Sequence, residues 1–263
     1  MKHTFGIYAT LAYLFLSGAA STHATEPWKP DVEAAARYSA TRAGAVSFAV
    51  RTERRVWGRD AARAVPAASV LKVMLLVAYL RRREVRARPL SPADRALLRP
   101  MVRWSDNVTA TRVRGIVGDA GLVRLARRAR MRRFRPAPVW GLSSVDAADQ
   151  SRFLLNVERL VPRRHRRTAM GLLGSVVPSQ RWGIARVRPL GWALYFKGGW
   201  GSGSGAVDHQ VALLRRGGLR LSVAIMTTSS PSHEYGKHTL EGVARRLLRG
   251  LGPASRPAGA AGG

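Results

Sequence analysis

The sequence predicts an α/β (α+β) fold. A five-stranded antiparallel sheet is completed by both ends of the chain and flanked by terminal helices, and an all-helical lobe is inserted into it. Three observations predict this. Short alternating patterns stand near residue 50 and again after residue 190. Helical periodicity fills the stretch between them, from about 69 to 179. One helix precedes the first strands and another closes the chain.

The elements follow in order. Residues 31–42 form a helix with Val32, Ala35, Ala36 and Tyr38 on one side. Residues 45–50 alternate, turn through the charged stretch 51–55 and return at Val56-Trp57, which is a hairpin. Residues 70–80 are a strongly apolar helix. Ser91-Pro92-Ala93-Asp94 starts the next one, with proline just inside the cap. Residues 107–117 and 120–131 are two helices parted by Gly118-Asp119, and 146–160 and 164–173 are helical again. Strands then cover 192–197, 207–214 and 219–226, and the last helix covers 234–248. The α/β lobe is therefore 25–62 with 180–250, the helical lobe is 63–179, and 251–263 is a Gly/Ala/Pro-rich tail.

The start of the chain reads differently. Lys2 and His3 precede an apolar run from Phe5 to Leu16, small residues follow, and Thr22-His23-Ala24 suits a cleavage site. Residues 1–24 are read as a secretory signal peptide, which predicts a secreted, extracytoplasmic protein with no transmembrane anchor after cleavage.

The 263 residues carry 45 Lys and Arg against 15 Asp and Glu, a formal net charge of +30, and no cysteine. Zero cysteine excludes a disulfide scaffold, a thiol nucleophile and cysteine-ligated metal. Only five of the 45 are lysine: Lys2, Lys29, Lys72, Lys197 and Lys237. The arginines are spread along helical segments beside apolar residues and read as solvated faces. Specific nucleic-acid binding would call for one basic face with interleaved aromatics, and none is evident. Electrostatic adhesion to anionic cell-wall polymers is expected of so basic an exported chain.

Three short motifs carry the chemistry. Ser69-Val70-Leu71-Lys72 opens the apolar helix. Residues three apart share a helix face, so the lysine amine can reach the serine hydroxyl. A serine nucleophile needs a base, and a lysine neutralised by burial can supply it. The bland alternative is a helix cap followed by a surface lysine. Ser105-Asp106-Asn107 starts a later helix; its side chains can face a cleft or simply cap the helix. Lys197-Gly198-Gly199-Trp200 ends a strand. Its glycines let a ligand lie along the strand edge, or merely make a turn.

In this order the three motifs resemble the S-x-x-K, S-D-N and K-T-G set of class A β-lactamases and penicillin-binding proteins. The resemblance spans residues 27–250 and includes the hairpin, the closing strands and helix, and the segments 105–112 and 143–148. It implies that Ser69 attacks a carbonyl, Lys72 takes its proton and Ser105 relays protons to the leaving nitrogen. Asn107 would bind the substrate amide. Lys197 would meet the substrate carboxylate and hold the Ser105 region. Gly199 would line the site, and the backbone N–H groups of Ser69 and Trp200 would form an oxyanion hole worth about 3 kcal/mol or more per donor. It implies no metal and no cofactor. The expected partner is a small β-lactam or a peptidoglycan-like acyl donor, met by a monomer.

The chain departs from that pattern at three points. Gly198 stands where a hydroxyl residue is usual, with Ser202 or Ser204 as candidate replacements. The stretch from Ser69 to Ser105 is short. The segment 131–144, where class A enzymes carry the glutamate that activates the deacylating water, has no acidic residue. Glu158 reads as a solvated helical residue, and Asp146 as a first-turn acid three residues after Ser143. Without that glutamate the acyl-enzyme is expected to hydrolyse slowly, unless Lys72 itself activates water. This leaves three functions open: a β-lactam-opening hydrolase, a peptidoglycan D,D-peptidase or esterase, and a non-turnover penicillin- or cell-wall-binding protein.

Other residues are weighed more simply. His209 reads as a packed or edge histidine. His233 and His238 flank Glu234 without zinc-site spacing. Trp182, Trp192 and Trp200 are candidates for a cleft wall or for core packing. The glycine-rich run 199–205 reads as a flexible hairpin connection.

Overall fold

Strand-forming runs of Val, Ile, Leu and Phe pair into one sheet in the computed structural model, which describes residues 28–203 and 205–252. The expected signal peptide at 1–24, Ser204 and the tail from 253 onward lie outside the described residues. The strands are β1 (Ala45–Thr52), β2 (Val56–Arg59), β3 (Val65–Pro66), β4 (Ser144–Val145), β5 (Ala193–Gly201), β6 (Val207–Arg216) and β7 (Leu219–Thr228). Five of them form an antiparallel sheet in the order β2-β1-β7-β6-β5, while β3 and β4 pair separately. β1 pairs with β7 from Ala45 opposite Thr228 to Thr52 opposite Leu221, so the two ends of the chain complete one sheet. β5 and β2 are the edge strands.

Each face of the sheet is covered by helices, because each carries alternate apolar residues. Helices α1 (Val32–Ala40) and α9 (His233–Leu247) pack on Phe48, Val50, Phe196 and Val223. Asp31 and Ser232 cap them, accepting from Ala34 N–H and Tyr235 N–H. The opposite face, with Val211, Leu213, Ala224 and Met226, meets the helical layer. That layer holds α2 (Leu71–Leu80), α3 (Arg83–Arg86), α4 (Pro92–Arg103), α5 (Asn107–Arg128), α6 (Ala147–Leu155), α7 (Val157–Leu160) and α8 (Arg166–Gly174).

All ten residues of α2 are buried. A helix that is apolar on every side belongs in a core, and Lys72 is its one charged member. α4 starts with a reciprocal cap between Ser91 and Asp94. Asp94 accepts from the Tyr79 hydroxyl at 2.6 Å and from Arg88 Nη1 at 2.5 Å, tying α4 to the end of α2. The arginine, first among several donors, holds its carboxyl well below the usual carboxylate range. α5 is broken at Gly118, whose φ of 67° and ψ of 170° no helix contains. The expected division there into two helices is what the backbone adopts.

Four expectations need correction. The run 199–205 is not wholly a connection: β5 continues through Gly201, because Trp200 and Gly201 pair with Asp208 and Val207. Asp146, not Ser143, caps α6 by accepting from Asp149 N–H, whereas the Ser143 hydroxyl accepts from Ala137 N–H. Glu158 is not a free solvated residue but pairs with Arg215 at 2.5 Å. The helix expected over 146–160 breaks at Asn156.

Truncating the Asp94 carboxylate leaves two hydroxyls, that of Tyr79 buried, and three N–H donors without their acceptor. Asp94→Ala should therefore lower the unfolding free energy in urea by about 2–4 kcal/mol. A loss below about 0.5 kcal/mol, the size of an ordinary surface change, would contradict this role.

Candidate active site

Ser69 lies in a turn of 3-10 helix, Ala68–Val70, that leads into α2. The residue before it, Ala68, has φ 43°, and Ser105 has φ 58°. Both are non-glycine residues in left-handed conformations, each costing about 1–3 kcal/mol. Strain of this kind persists only where the surroundings enforce it, and here it sits just before Ser69 and at Ser105.

Lys72 is fully buried, one helical turn after Ser69. Its Nζ donates to the Ser105 carbonyl, to the Ser105 hydroxyl at 3.0 Å and to Asn107 Oδ1 at 2.8 Å. The expected direct bond to Ser69 is not among these. The three acceptors turn the amine toward the loop between α4 and α5. They favour the ammonium form, while burial favours the neutral amine. Burial dominates, and the lysine pKa falls to about 7, with Asp106 opposing the shift.

Asp106 is itself occupied as the cap of α5. It accepts from Thr109 N–H at 2.7 Å and from the Thr109 hydroxyl at 2.6 Å. Within Ser105-Asp106-Asn107 the aspartate therefore caps the helix, and its two neighbours face Lys72. Asn107 is exposed, and its amide N–H groups remain open to a ligand.

β5 closes the other side. A Cβ on Gly199 would lie 2.8 Å from the backbone nitrogens of Ser69 and Val70. Glycine at 199 is what lets the strand touch the Ser69 turn. Lys197 is also fully buried, and its Nζ donates to the Gly198 carbonyl at 2.7 Å. The hold on the Ser105 region expected of Lys197 is not made; the strand's own carbonyl accepts its hydrogen bond. Burial, and then the nearby Lys72, drive its pKa well below the ordinary lysine value.

The Gly198 departure has a physical cause. A Cβ there would meet the Trp182 ring at 2.9 Å. The Gln210 side chain pins that segment by donating to the Trp182 carbonyl at 2.7 Å and accepting from Ile184 N–H at 2.7 Å. Trp182 thus fills the space a hydroxyl residue would need. Ser202 is exposed in the turn after β5.

Several contributors were not singled out from sequence. The Trp140 ring lies 5.0 Å from Lys72 Nζ, and its Nε1 donates to the Thr111 hydroxyl at 3.1 Å. Asp149 anchors the base of its loop by accepting from the N–H groups of Arg132 and Arg133. The 131–144 segment therefore brings an indole, not a carboxylate, to Lys72. On the far side, His233 stacks on Trp200 at 5.5 Å, and its Nδ1 meets Asp208 Oδ1 at 2.5 Å. Burial raises the Asp208 pKa to about 6 against the pull of His233. Asp208 stands opposite Trp200 across the sheet, which only the strand register reveals.

Of the tryptophans considered as cleft walls, Trp182 and Trp200 meet edge to face beside β5 at 5.8 Å. Trp192 is instead buried in the core with α9, donating to the Leu251 carbonyl. His209 is a packed histidine: Nε2–H donates to the Pro66 carbonyl at 2.9 Å, and Nδ1 accepts from Thr227 N–H at 3.2 Å. Its burial lowers its pKa to about 4. Among the described residues no group of three or more His, Asp or Glu side chains is arranged to hold a metal, and no helix is long and apolar enough to cross a membrane.

Comparison with known proteins gives a consistent picture. A model of the "Beta-lactamase enzyme family" matches residues 89–251. That span includes Ser105, Asn107 and Lys197 but begins after Ser69 and Lys72. Among solved structures, a beta-lactamase from Sphaerobacter thermophilus is similar with a TM-score of 0.73 at 18% identity, over 84% of this chain and 97% of that one. An ancestral class A beta-lactamase gives 0.70 at 16% identity, over 83% and 98%. A beta lactamase from Xanthomonas campestris gives 0.70 at 15% identity, over 82% and 95%. At these identities the likeness is one of fold. No curated protein matches the sequence significantly.

The contact of Trp182 with Gly198 can be tested by a double-mutant cycle. Gly198→Ser should destabilise the protein by about 1–3 kcal/mol through overpacking. In a Trp182→Leu background the same change should cost at least about 1 kcal/mol less. Equal costs in the two backgrounds would mean that the indole does not exclude a side chain at 198.

Proposed function

Because the chain belongs to the beta-lactamase enzyme family, we propose that it is an exported serine hydrolase that opens β-lactam rings through an acyl-enzyme on Ser69. One observation carries the reading. A fully buried lysine with a pKa near 7 lies one turn from Ser69 and donates to the Ser105 hydroxyl.

The chemistry follows from that arrangement. Neutral Lys72 accepts the Ser69 proton as the serine oxygen attacks the lactam carbonyl. The backbone N–H groups of Ser69 and Trp200 stabilise the oxyanion, with Gly199 allowing the strand to approach. The proton passes from Lys72 to Ser105 along their 3.0 Å contact and on to the leaving nitrogen. The open N–H groups of Asn107 bind the substrate amide. A substrate carboxylate beside Lys197 favours its charged form, because an anion next to a buried amine raises its pKa.

Deacylation lacks a dedicated base. Trp140 is what the 131–144 segment presents to Lys72, and the Asp106 carboxylate is engaged by Thr109. This favours a second reading, in which the enzyme is a D,D-peptidase or esterase on peptidoglycan-like donors and β-lactams acylate it nearly stoichiometrically. Intact-mass spectrometry with a penicillin separates the two. A transient adduct with continued turnover supports the hydrolase. A persistent adduct of one acyl group supports the second reading. No adduct at any time would sink both.

Two predictions follow from the lysine. Lys72→Arg keeps the charge but cannot give up its proton, so acylation should fall by at least about a thousandfold, as does Ser69→Ala. Normal labelling of either variant would remove that residue from the mechanism. The acylation rate of the unaltered protein should rise as pH increases through about 7 and then level off, since the neutral amine is the active form. A flat profile between pH 6 and pH 8 would contradict a lysine base with a pKa of about 7.

A further inference from the structure

We propose that a trough of arginines on the outer side of the helical layer binds a linear, non-nucleotide phosphate polymer. The site is separate from the Ser69 cluster and independent of its chemistry. It begins at the far end of α2, about 15 Å along that helix from Ser69.

Two clefts form the trough. One, of about 370 Å³, lies between the end of α2 and α5 and is lined by Arg81, Arg82, Arg83, Arg124 and Arg128, with Ile116 and Val117 beside them. The other, of about 390 Å³, is lined by Arg128, Arg130, Arg152 and Arg159. Arg128 belongs to both. Arg81 also bridges them, donating to the carbonyl of Leu160 at 2.6 Å, and Leu160 lines the second cleft. The two clefts are therefore neighbours that share a wall.

What sets this groove apart on a uniformly basic protein is the lack of counter-charge in a concave place. Glu84 is the one acid lining it, and it pairs with Arg82 at 3.3 Å. From behind, Asp149 pairs with Arg152 at 2.6 Å and Glu53 with Arg159 at 3.5 Å. Among the described residues, the side chains of Arg83, Arg124, Arg128 and Arg130 have no ion pair or hydrogen bond. All four are exposed. Arg81 is pushed below its usual pKa by burial and then by Arg128 and Arg86, so these cations act on one another. A concave surface of one sign concentrates the field and draws in anions.

The shape selects the ligand. Unpaired guanidinium groups fit phosphate oxygens in a fork geometry. Their spread along two neighbouring clefts suits a chain of phosphates better than one small anion. No aromatic residue lines either cleft, so bases have nothing to stack on, which disfavours single-stranded nucleic acid. A groove also presents its cations poorly to a flat bilayer.

Binding to long-chain inorganic polyphosphate tests the assignment, measured by calorimetry across a range of salt concentrations. Arg124→Gln with Arg128→Gln should weaken binding by about tenfold or more and flatten the salt slope by about 1 to 1.5. The charge-matched control Arg37→Gln with Arg245→Gln, on the terminal helices, should change affinity less than about twofold. Both double variants should keep wild-type penicillin labelling of Ser69, or wild-type melting if no labelling occurs. Four results would overturn the proposal: equal losses in the two variants, orthophosphate binding as tightly as the polymer, single-stranded DNA binding as tightly as the polymer, or retention by phosphatidylglycerol vesicles without polyphosphate binding.

Discussion

A lysine with no solvent exposure, held between a helix start and the loop that begins another helix, is the constraint on which the site depends. Burying an amine costs free energy that only partners or loss of the proton can offset. Lys72 does both. It finds three oxygen acceptors on Ser105 and Asn107, and its pKa falls to about 7. The same burial that makes α2 a core helix thus lowers the pKa of its one amine. A surface lysine at the same spacing from a serine would stay protonated and do nothing.

The surrounding fold is arranged to keep that lysine in place. The sheet is closed by both ends of the chain, which fixes edge strand β5 against the helical layer. Gly199 lets β5 come within contact of the Ser69 turn, and the left-handed backbone at Ala68 and Ser105 shows that the surroundings hold both loops tightly. Trp140 covers Lys72 from the 131–144 loop, which Asp149 ties down at its base. The 131–144 loop thus brings an indole to Lys72 and no carboxylate. Family membership and the missing acid therefore point to different balances between acylation and deacylation.

Much of the fold was legible because its elements have clear periods. The hairpin at 45–59, the three late strands and the terminal helices announce themselves by alternation or by capped apolar stripes. The pair β3–β4 was not foreseen, because two residues carry no period. The end of β5 was misread because glycine usually breaks a strand; here Trp200 and Gly201 still pair with Asp208 and Val207. The break at Asn156 has no proline or glycine to mark it.

The site was legible as three motifs, but their contacts were not. Spacing puts Lys72 under Ser69, yet its hydrogen bonds run to Ser105 and Asn107, which are more than thirty residues away. Lys197 was assigned a reach that its strand carbonyl absorbs. Trp140 and Asp208 gave no local signal, and His233 was weighed only as a metal ligand, since register and loop path alone bring them near. The most direct test of the central claim is the titration of the Lys72 amine itself. With five lysines in the chain, the 13Cε resonances can be assigned by substitution and followed by NMR. A midpoint of about 7 for Lys72 is predicted. A midpoint near the ordinary lysine value of about 10.4 would contradict the account, because the amine would then hold its proton when serine attack requires it free.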